Sequence, residues 1–188
     1  GLNMISSPGF VTYGTDPEGF FQKDNHIIGS ERIIPEHGLI AGGSKVVRDG
    51  VQFEMHPNST GYIDGVRYGL KSAFRALRQV LDKNPGVTCN WDGLVTVMRK
   101  ELNALSEKSR ILGCQPSRNI WGHKPIDVDV LKYRKRSAGG HIHMGLLKSQ
   151  IYDERYHVDE RERLVALLDV IVGNTCVLLD RDPGAAER

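Results

Sequence analysis

Cysteine is scarce in this sequence. The three cysteines, Cys89, Cys114 and Cys176, are odd in number, far apart and without any C-x-x-C spacing. This pattern excludes a disulfide framework and a zinc knuckle, because both need paired or closely spaced thiols. Unpaired thiols are typical of a reducing compartment. The sequence therefore predicts a cytoplasmic protein.

Long hydrophobic runs and an excess of one charge are also missing. The most apolar stretch, residues 164–179, is interrupted by Asp169 and Asn174. It is shorter than the about 20 apolar residues that a membrane-spanning helix needs. The 25 Lys and Arg residues nearly balance the 23 Asp and Glu residues, which leaves a formal charge of +2. We therefore expect neither a membrane nor a nucleic acid as a partner.

The 188 residues, 39% of them hydrophobic, are enough for one domain with a sizeable core. Short alternating apolar runs and glycines over residues 10–56 predict β-strands joined by turns. The later half contains predicted helices and a short predicted strand over residues 110–114. Strands in hairpins and helices in blocks favour an α+β fold with a largely antiparallel sheet. We expect helices to pack on one face of this sheet and polar residues to line the other.

Helical spacing of apolar residues predicts helices over residues 65–83, 92–108 and 159–179. The sequence Asn84-Pro85-Gly86 ends the first helix, and Asp92 is a suitable N-cap for the second. The residues expected to face the core are Leu70, Phe74, Leu77 and Leu81 in the first helix, and Leu94, Val97, Met98, Leu102 and Leu105 in the second.

The most informative motif is a glycine pair followed by two histidines one residue apart. Alternate side chains of a strand share a face, so we expect His141 and His143 to point to the same side. Gly139 and Gly140 would let another backbone, a phosphate or a metal-bound ligand approach closely. The simpler alternative is two solvated histidines on a strand edge.

A second motif carries carboxylates at the same spacing. In an extended segment Asp16 and Glu18 lie about 7 Å apart on one face, close enough to reach a common cation. Pro17 cannot donate a ladder hydrogen bond, so the segment is expected at an edge, a strand end or a bulge. An ordinary Asp-Pro turn is the alternative interpretation.

A third motif is a predicted hairpin. Asp49-Gly50 is typical of a tight turn, and the alternation over residues 51–56 places Glu54 on the polar face. Alone, that face is most simply solvated. If the site strands are neighbours, however, five side chains converge on the open concave face of the sheet: Asp16, Glu18, Glu54, His141 and His143.

Such a cluster has definite chemical consequences. Three carboxylates would raise one another's pKa values unless cations were present. Oxygen ligands with an occasional imidazole suit Mg²⁺ or Mn²⁺ better than structural zinc, and these ions commonly accompany a phosphorylated substrate such as ATP. The basic run at residues 132–136 would attract phosphate, although a solvated basic loop is the commoner outcome.

Four blocks of the sequence resemble, in order, the phage-type carboxylate-amine ligases. These phage amidoligases belong to the glutamine synthetase and glutamate-cysteine ligase superfamily. The blocks are Gly-x-Asp-Pro-Glu at 14–18, the hairpin at 49–54, Gly-Cys-Gln-Pro-Ser-Arg-Asn at 113–119 and the Gly-Gly-His-x-His region at 136–145. The resemblance covers essentially the whole chain, and the Gly-Gly-His-x-His block is its most specific part.

The resemblance implies a fold like the glutamine synthetase catalytic domain and ATP-dependent amide formation. A carboxylate would be phosphorylated to an acyl phosphate, which an amine then attacks. Asp16 and Glu18 match the paired acidic metal ligands, and Glu54 matches the acid on the following hairpin. His141 matches the metal-binding histidine, and His143 the one nearer the ATP phosphates. The residues that we expect to contact bound ATP are His143, Gly139, Gly140, Arg134 and Arg136.

One departure from the family is evident. In the family the final helix is followed by an Arg-rich Tyr-Gly segment and a last strand with a Glu-Tyr-Arg-like motif, whereas this sequence stops at Arg188. We therefore expect residues 1–188 to form a single amidoligase-like domain that lacks this C-terminal segment. A fragment, a cleaved protein and a version without the catalytic end are the three explanations.

The leading hypothesis is an ATP- and Mg²⁺-dependent ligase, with Mn²⁺ as the alternative ion. Its substrates would be small-molecule, peptide or protein carboxylates and amines, and a homo-oligomer is an open option. It would act in the host cytoplasm if phage-encoded. The alternatives are a non-catalytic phage structural or interaction protein on the same fold and, third, a metal-dependent hydrolase.

Overall fold

The structure is a computed structural model that describes residues 11–110, 133–146, 163 and 165–179. The chain divides into two compact units: Gly1–Gly113 with Asp129–Leu146, and Cys114–Val128 with Leu147–Arg188. The first unit mixes helices with antiparallel sheets, so the predicted α+β class is confirmed. One domain over residues 1–188 stays a prediction.

The strands described in the first unit all pair antiparallel. They are β1 (Val11–Thr15), β2 (Glu18–Lys23), β3 (His26–Ile28), β4 (Leu39–Ala41), β5 (Ser44–Asp49), β6 (Gln52–His56), β7 (Val87–Asn90), β8 (Leu94–Thr96), β9 (Lys135–Ser137) and β10 (Ile142–Leu146). A six-stranded sheet has the order β3-β2-β6-β5-β4, with β7 also paired to β2. Strands β1 and β10 form a separate two-stranded ribbon, as do β8 and β9.

The predicted hairpin at Asp49-Gly50 is confirmed as the connection between β5 and β6. Asp49 pairs with Gln52 at its end, and Gly50 has a φ of +59°, a left-handed conformation that glycine adopts without steric cost. The alternation continues along β6, where Phe53 and Met55 are fully buried. The opposite face of the hairpin carries the polar side chains that line the candidate site.

Strand β2 is buried on both of its faces. Phe20 and Phe21 are both fully buried although neighbouring side chains of a strand point to opposite faces. Phe21 packs with Phe53 and one face of the first helix, while Phe20 belongs to a second cluster with Val95 and Leu102. The prediction that helices cover only one face is therefore wrong at β2, because Leu102, which lies in a helix, packs on the other face together with Val95.

Helix α1 (Ile63–Asp82) confirms the first predicted helix. Its buried face differs from the predicted one: Leu77 is buried, but Phe74 is 46% exposed and packs against the Trp91 ring instead. The small residues Ala73 and Ala76 face the sheet. They allow the helix backbone to approach the strands more closely than larger side chains would.

The second predicted helix is wrong over its first half. Residues 94–96 form β8, which pairs with β9, and the helices begin only at α2 (Arg99–Ala104) and α3 (Glu107–Arg110). The sequence Val-Thr-Val at 95–97 has the β-branched side chains that favour a strand, and the partner strand lies about 40 residues further along the chain. Local spacing therefore gave no indication of this pairing.

The described part of the second unit is helical over residues 165–179. A π-helical stretch, Asp169–Gly173, leads into α4 (Asn174–Leu179), which agrees with the predicted third helix over this range. The predicted start of that helix at residue 159, residues 111–114 of the predicted strand and the loop at residues 115–121 lie outside the described residues. Of the helices that the structure describes, none has the length and apolarity to cross a membrane.

Candidate functional site

The Asp16-Pro17 segment lies between two strands, as predicted for a proline at a strand end. Strand β1 ends at Thr15 and β2 begins at Glu18. The Pro17 carbonyl accepts a hydrogen bond from the Met55 amide at 2.9 Å. The segment is thereby held to β6, and the buried side chain of Asp16 is directed toward the histidine motif.

The antiparallel register of β1 and β10 brings the two motifs together. Gly14 pairs with His143 and Thr15 with Ile142, so Asp16, the first residue after β1, lies beside His141. The His141 amide donates to Asp16 Oδ1. The His141 Nδ1 atom lies 3.1 Å from the same oxygen, and His143 Nε2 lies 2.8 Å from Oδ2. The predicted placement of both imidazoles on one side of the strand agrees with these contacts.

Asp16 is the buried member of this group, with a side chain 12% exposed, whereas the His141 and His143 side chains are 63% and 61% exposed. Burial alone would raise the pKa of Asp16. Hydrogen bonds with His143 and His141 outweigh it and hold the pKa below its ordinary value. Asp16 is therefore a carboxylate at neutral pH and favours a positive charge at this point.

These three residues, here called the triad, have the geometry of a cation site. The donor atoms of Asp16, His141 and His143 all lie within 4.8 Å of one another. Two imidazole nitrogens and a carboxylate oxygen suit a divalent transition ion, and Mn²⁺ accepts both donor types more readily than Mg²⁺ does. The exposed rings leave the outer side of the triad open to a ligand.

Glu18 lies beside the triad without belonging to it. Its Oε2 atom accepts the Gly139 amide at 2.8 Å, while its own amide donates to the Gly139 carbonyl at 2.8 Å. Burial, followed by the charges of Asp49 and Glu54, raises the pKa of Glu18. Glu18 thus connects β2 to the loop that precedes the histidines.

Glu54 faces Glu18 across the pair of strands β2 and β6, where the two residues are register partners. Its Oε1 atom lies 3.0 Å from His56 Nε2. Among the described residues, the atoms grouped closely enough for one metal ion are those of the triad. The five residues expected to converge therefore divide into the triad and a carboxylate pair, which we call the Glu18–Glu54 pair.

The two glycines before His141 differ in their surroundings. A Cβ atom at Gly140 would come within 3.3 Å of the Pro17 Cα atom, whereas one at Gly139 would meet nothing within 4 Å. The motif predicted close approach of another backbone, a phosphate or a metal-bound ligand. In the structure, the backbone of Pro17 approaches Gly140 closely. Gly140 thus leaves room for the Asp16-Pro17 segment to lie against the histidine strand.

A cleft of about 490 Å³ opens next to Asp16 and His143. Lys45, His56 and Asn58 also line this cleft. Lys45 and His56 are register partners on the polar face of the β5–β6 hairpin. Of these three, Lys45 and Asn58 had not been singled out from the sequence. The period-two alternation of β5 was the available signal for Lys45.

No protein-family model, curated protein or solved structure matches this chain. The triad and its cleft therefore carry the functional proposal, together with the motifs themselves.

The expected phosphate contacts Arg134 and Arg136 lie in and beside β9. Arg136 is 2% exposed, and its guanidinium donates to the carbonyls of Tyr133, Lys135 and Arg110 at 2.6–3.0 Å. This arrangement differs from the expected phosphate contact, because these donors are occupied by backbone acceptors. Arg134 donates its Nε to the Val97 carbonyl at 2.9 Å and is otherwise exposed.

Proposed function

We propose that this chain is an ATP- and divalent-metal-dependent carboxylate-amine ligase. The observation that carries the proposal is the meeting of two motifs 125 residues apart at Asp16 and His141. Both motifs are blocks of the resemblance to the phage amidoligases. Their contact supports the interpretation that they form one site rather than two unrelated turns.

The donor set supports a metal-dependent reaction. Asp16, His141 and His143 would hold the ion, with Mn²⁺ preferred over Mg²⁺ because two of the three donors are imidazoles. A bound divalent ion would neutralise charge on the ATP phosphates and orient the terminal phosphoryl group. The cleft beside the triad offers about 490 Å³, within the usual range for a small-ligand site.

The described fold supports the same proposal at a coarser level. Glu18 and Glu54 lie opposite each other on the antiparallel strands β2 and β6, and the Gly139 amide, which donates to Glu18, precedes the histidines of the triad. We propose that this arrangement is a version of the glutamine synthetase catalytic domain, in which acidic and histidine side chains on an antiparallel sheet bind metal and nucleotide.

Calorimetric titration with Mn·ATP tests the proposal. We expect the wild-type chain to bind the nucleotide only when Mn²⁺ or Mg²⁺ is present, and the Asp16→Ala/Glu18→Ala variant to lose this binding. Asp64→Asn is the matched control, since Asp64 is 86% exposed on α1 and does not line the cleft. Equal binding with and without metal would contradict the proposal.

A second assay addresses the reaction. We expect release of ADP and phosphate to require both a carboxylate and an amine, and mass spectrometry to detect the amide. Amino acids, short peptides and polyamines are suitable first substrates, because a fold does not choose among them. Steady ATP consumption without any amide, over all of these pairs, would argue against a ligase.

A metal-dependent hydrolase is a second candidate, which the donor set specifically favours. Two histidines with one carboxylate is a combination that hydrolytic metal sites use to activate water. Labelled ATP separates the two functions. A ligase transfers the label to phosphate in step with amide formation, whereas a hydrolase acts without ATP.

A further inference from the structure

The cleft is lined by two chemically different groups of residues. One group is Asp16 and His143 of the triad. The other is Lys45, Glu54 and His56 of the β5–β6 hairpin, with Asn58 just after it. What the second group can bind follows from its charges.

The carboxylates that line the cleft already have partners. Asp16 contacts His141 and His143, and Glu54 lies 3.0 Å from His56 Nε2. Lys45 is exposed, and within the described residues no carboxylate lies at ion-pair distance from it. The cleft thus contains an ammonium group that has no carboxylate at ion-pair distance among the described residues.

Neutral donors accompany this ammonium group. Asn58, with its side-chain amide, and Ser59, with its hydroxyl, are lining residues of the same cleft. A Cβ atom at Gly43 would come within 2.5 Å of the Asn58 Nδ2 atom, and Gly43 has a φ of +81°, which disfavours any other residue. Gly43 therefore preserves the space that this amide occupies. Ammonium, amide and hydroxyl groups together are suitable donors for an anionic oxygen.

We propose that Lys45 is the anion-binding residue of the cleft and holds a carboxylate or phosphate oxygen of the substrate while the reacting group lies at the triad. This inference deepens the proposed function and rests on it for the identity of the substrate. The anion has two sources in a ligase reaction, the acid substrate and the nucleotide. Their shared chemistry is an oxyanion that pairs with an ammonium group.

Calorimetry on the full chain tests the role of Lys45 with two probes, glutarate for the carboxylate and ATP for the phosphate. Each probe is titrated with and without Mn²⁺ into the wild type and into Lys45→Gln and Lys45→Arg. We expect Lys45→Gln to weaken at least one probe by about 10- to 100-fold, as for loss of a charge-assisted hydrogen bond. Lys45→Arg should keep most of the affinity, because it keeps the charge.

Lys71→Gln is the matched control, since Lys71 is an exposed lysine of α1 that does not line the cleft. If Lys45→Gln loses affinity only for glutarate, Lys45 binds the acid substrate. If it loses affinity only for ATP, Lys45 binds the nucleotide. The inference is overturned if Lys45→Gln binds both probes as the wild type does, or if the wild type binds neither at millimolar concentration. Failure of the wild type to bind Mn²⁺ alone would instead contradict the proposed function, since the metal-free titration with glutarate still tests Lys45.

Discussion

Asp16 and Glu18 are two carboxylates only two residues apart, and the structure gives them opposite electrostatic surroundings. Asp16 contacts two imidazoles and a backbone amide, which hold its pKa below the ordinary value in spite of burial. Glu18 is partly buried near Asp49 and Glu54, and its pKa is raised. The Gly139 amide compensates only part of this effect.

The difference shows that position in a motif does not determine the role of a carboxylate. From the sequence, both residues were expected to be metal ligands. In the structure, Asp16 is the centre of the triad, while Glu18 connects β2 to the Gly139 loop through two hydrogen bonds. A bound cation at the triad would nevertheless act on both, because it would also offset the repulsion around Glu18.

The largest expected difference between the two carboxylates concerns metal affinity. Asp16→Asn should weaken Mn²⁺ binding by at least about 100-fold, because it removes the only anionic donor of the triad. Glu18→Gln should weaken it by less than about 10-fold, since Glu18 acts on the ion only from a distance. Calorimetry with MnCl₂ measures the Mn²⁺ affinity of both variants. An equal loss of affinity in the two would indicate that Glu18 is a ligand of the same ion.

The glycine pair provides a comparison of intermediate size. In Gly140→Ala the new Cβ atom would come within 3.3 Å of the Pro17 backbone, which is itself held by Met55. We expect this variant to lose about 1 kcal/mol of unfolding free energy through overpacking and to bind Mn²⁺ more weakly. Gly139→Ala, with open space around it, should match the wild type or exceed it slightly. Urea unfolding distinguishes the two, and equal stability would show that the Asp16-Pro17 segment can shift.

The smallest expected effect concerns how the stability of the metal-free protein depends on pH. Asp16 and Glu18 should contribute to this dependence with opposite signs. A lowered pKa means that ionised Asp16 stabilises the fold above about pH 4, and that this contribution is lost as the pH falls through its folded pKa. A raised pKa means that ionised Glu18 opposes folding as the pH rises through its folded pKa.

At neutral pH, therefore, Asp16→Asn should be less stable than the wild type and Glu18→Gln more stable, the latter by less than about 1 kcal/mol. Both differences should shrink toward about pH 4 and below. Urea unfolding across this range measures them. The same sign for both variants would contradict the electrostatic comparison.

Sequence patterns predicted those features whose cause is local. The hairpin at Asp49-Gly50, the strand end at Pro17 and helix α1 follow from turn chemistry, the missing proline N–H and helical spacing. Patterns failed where a distant partner decides the local structure. Residues 94–96 form a strand because β9 pairs with them, and the Nη1 and Nη2 atoms of Arg136 donate to backbone carbonyls that no local pattern reveals.

The candidate site divides in the same way. The i, i+2 spacing of His141 and His143 already determined that two imidazoles would share one side of an extended segment, and alternation in β6 determined that Glu54 would lie on the polar face. Only the tertiary structure decided which carboxylate meets the imidazoles. The register of β1 against β10 brings Asp16 to His141, because hydrogen bonding between strands sets contacts between residues that are far apart in sequence. The tertiary structure also places Lys45 in the cleft that Asp16 and His143 line.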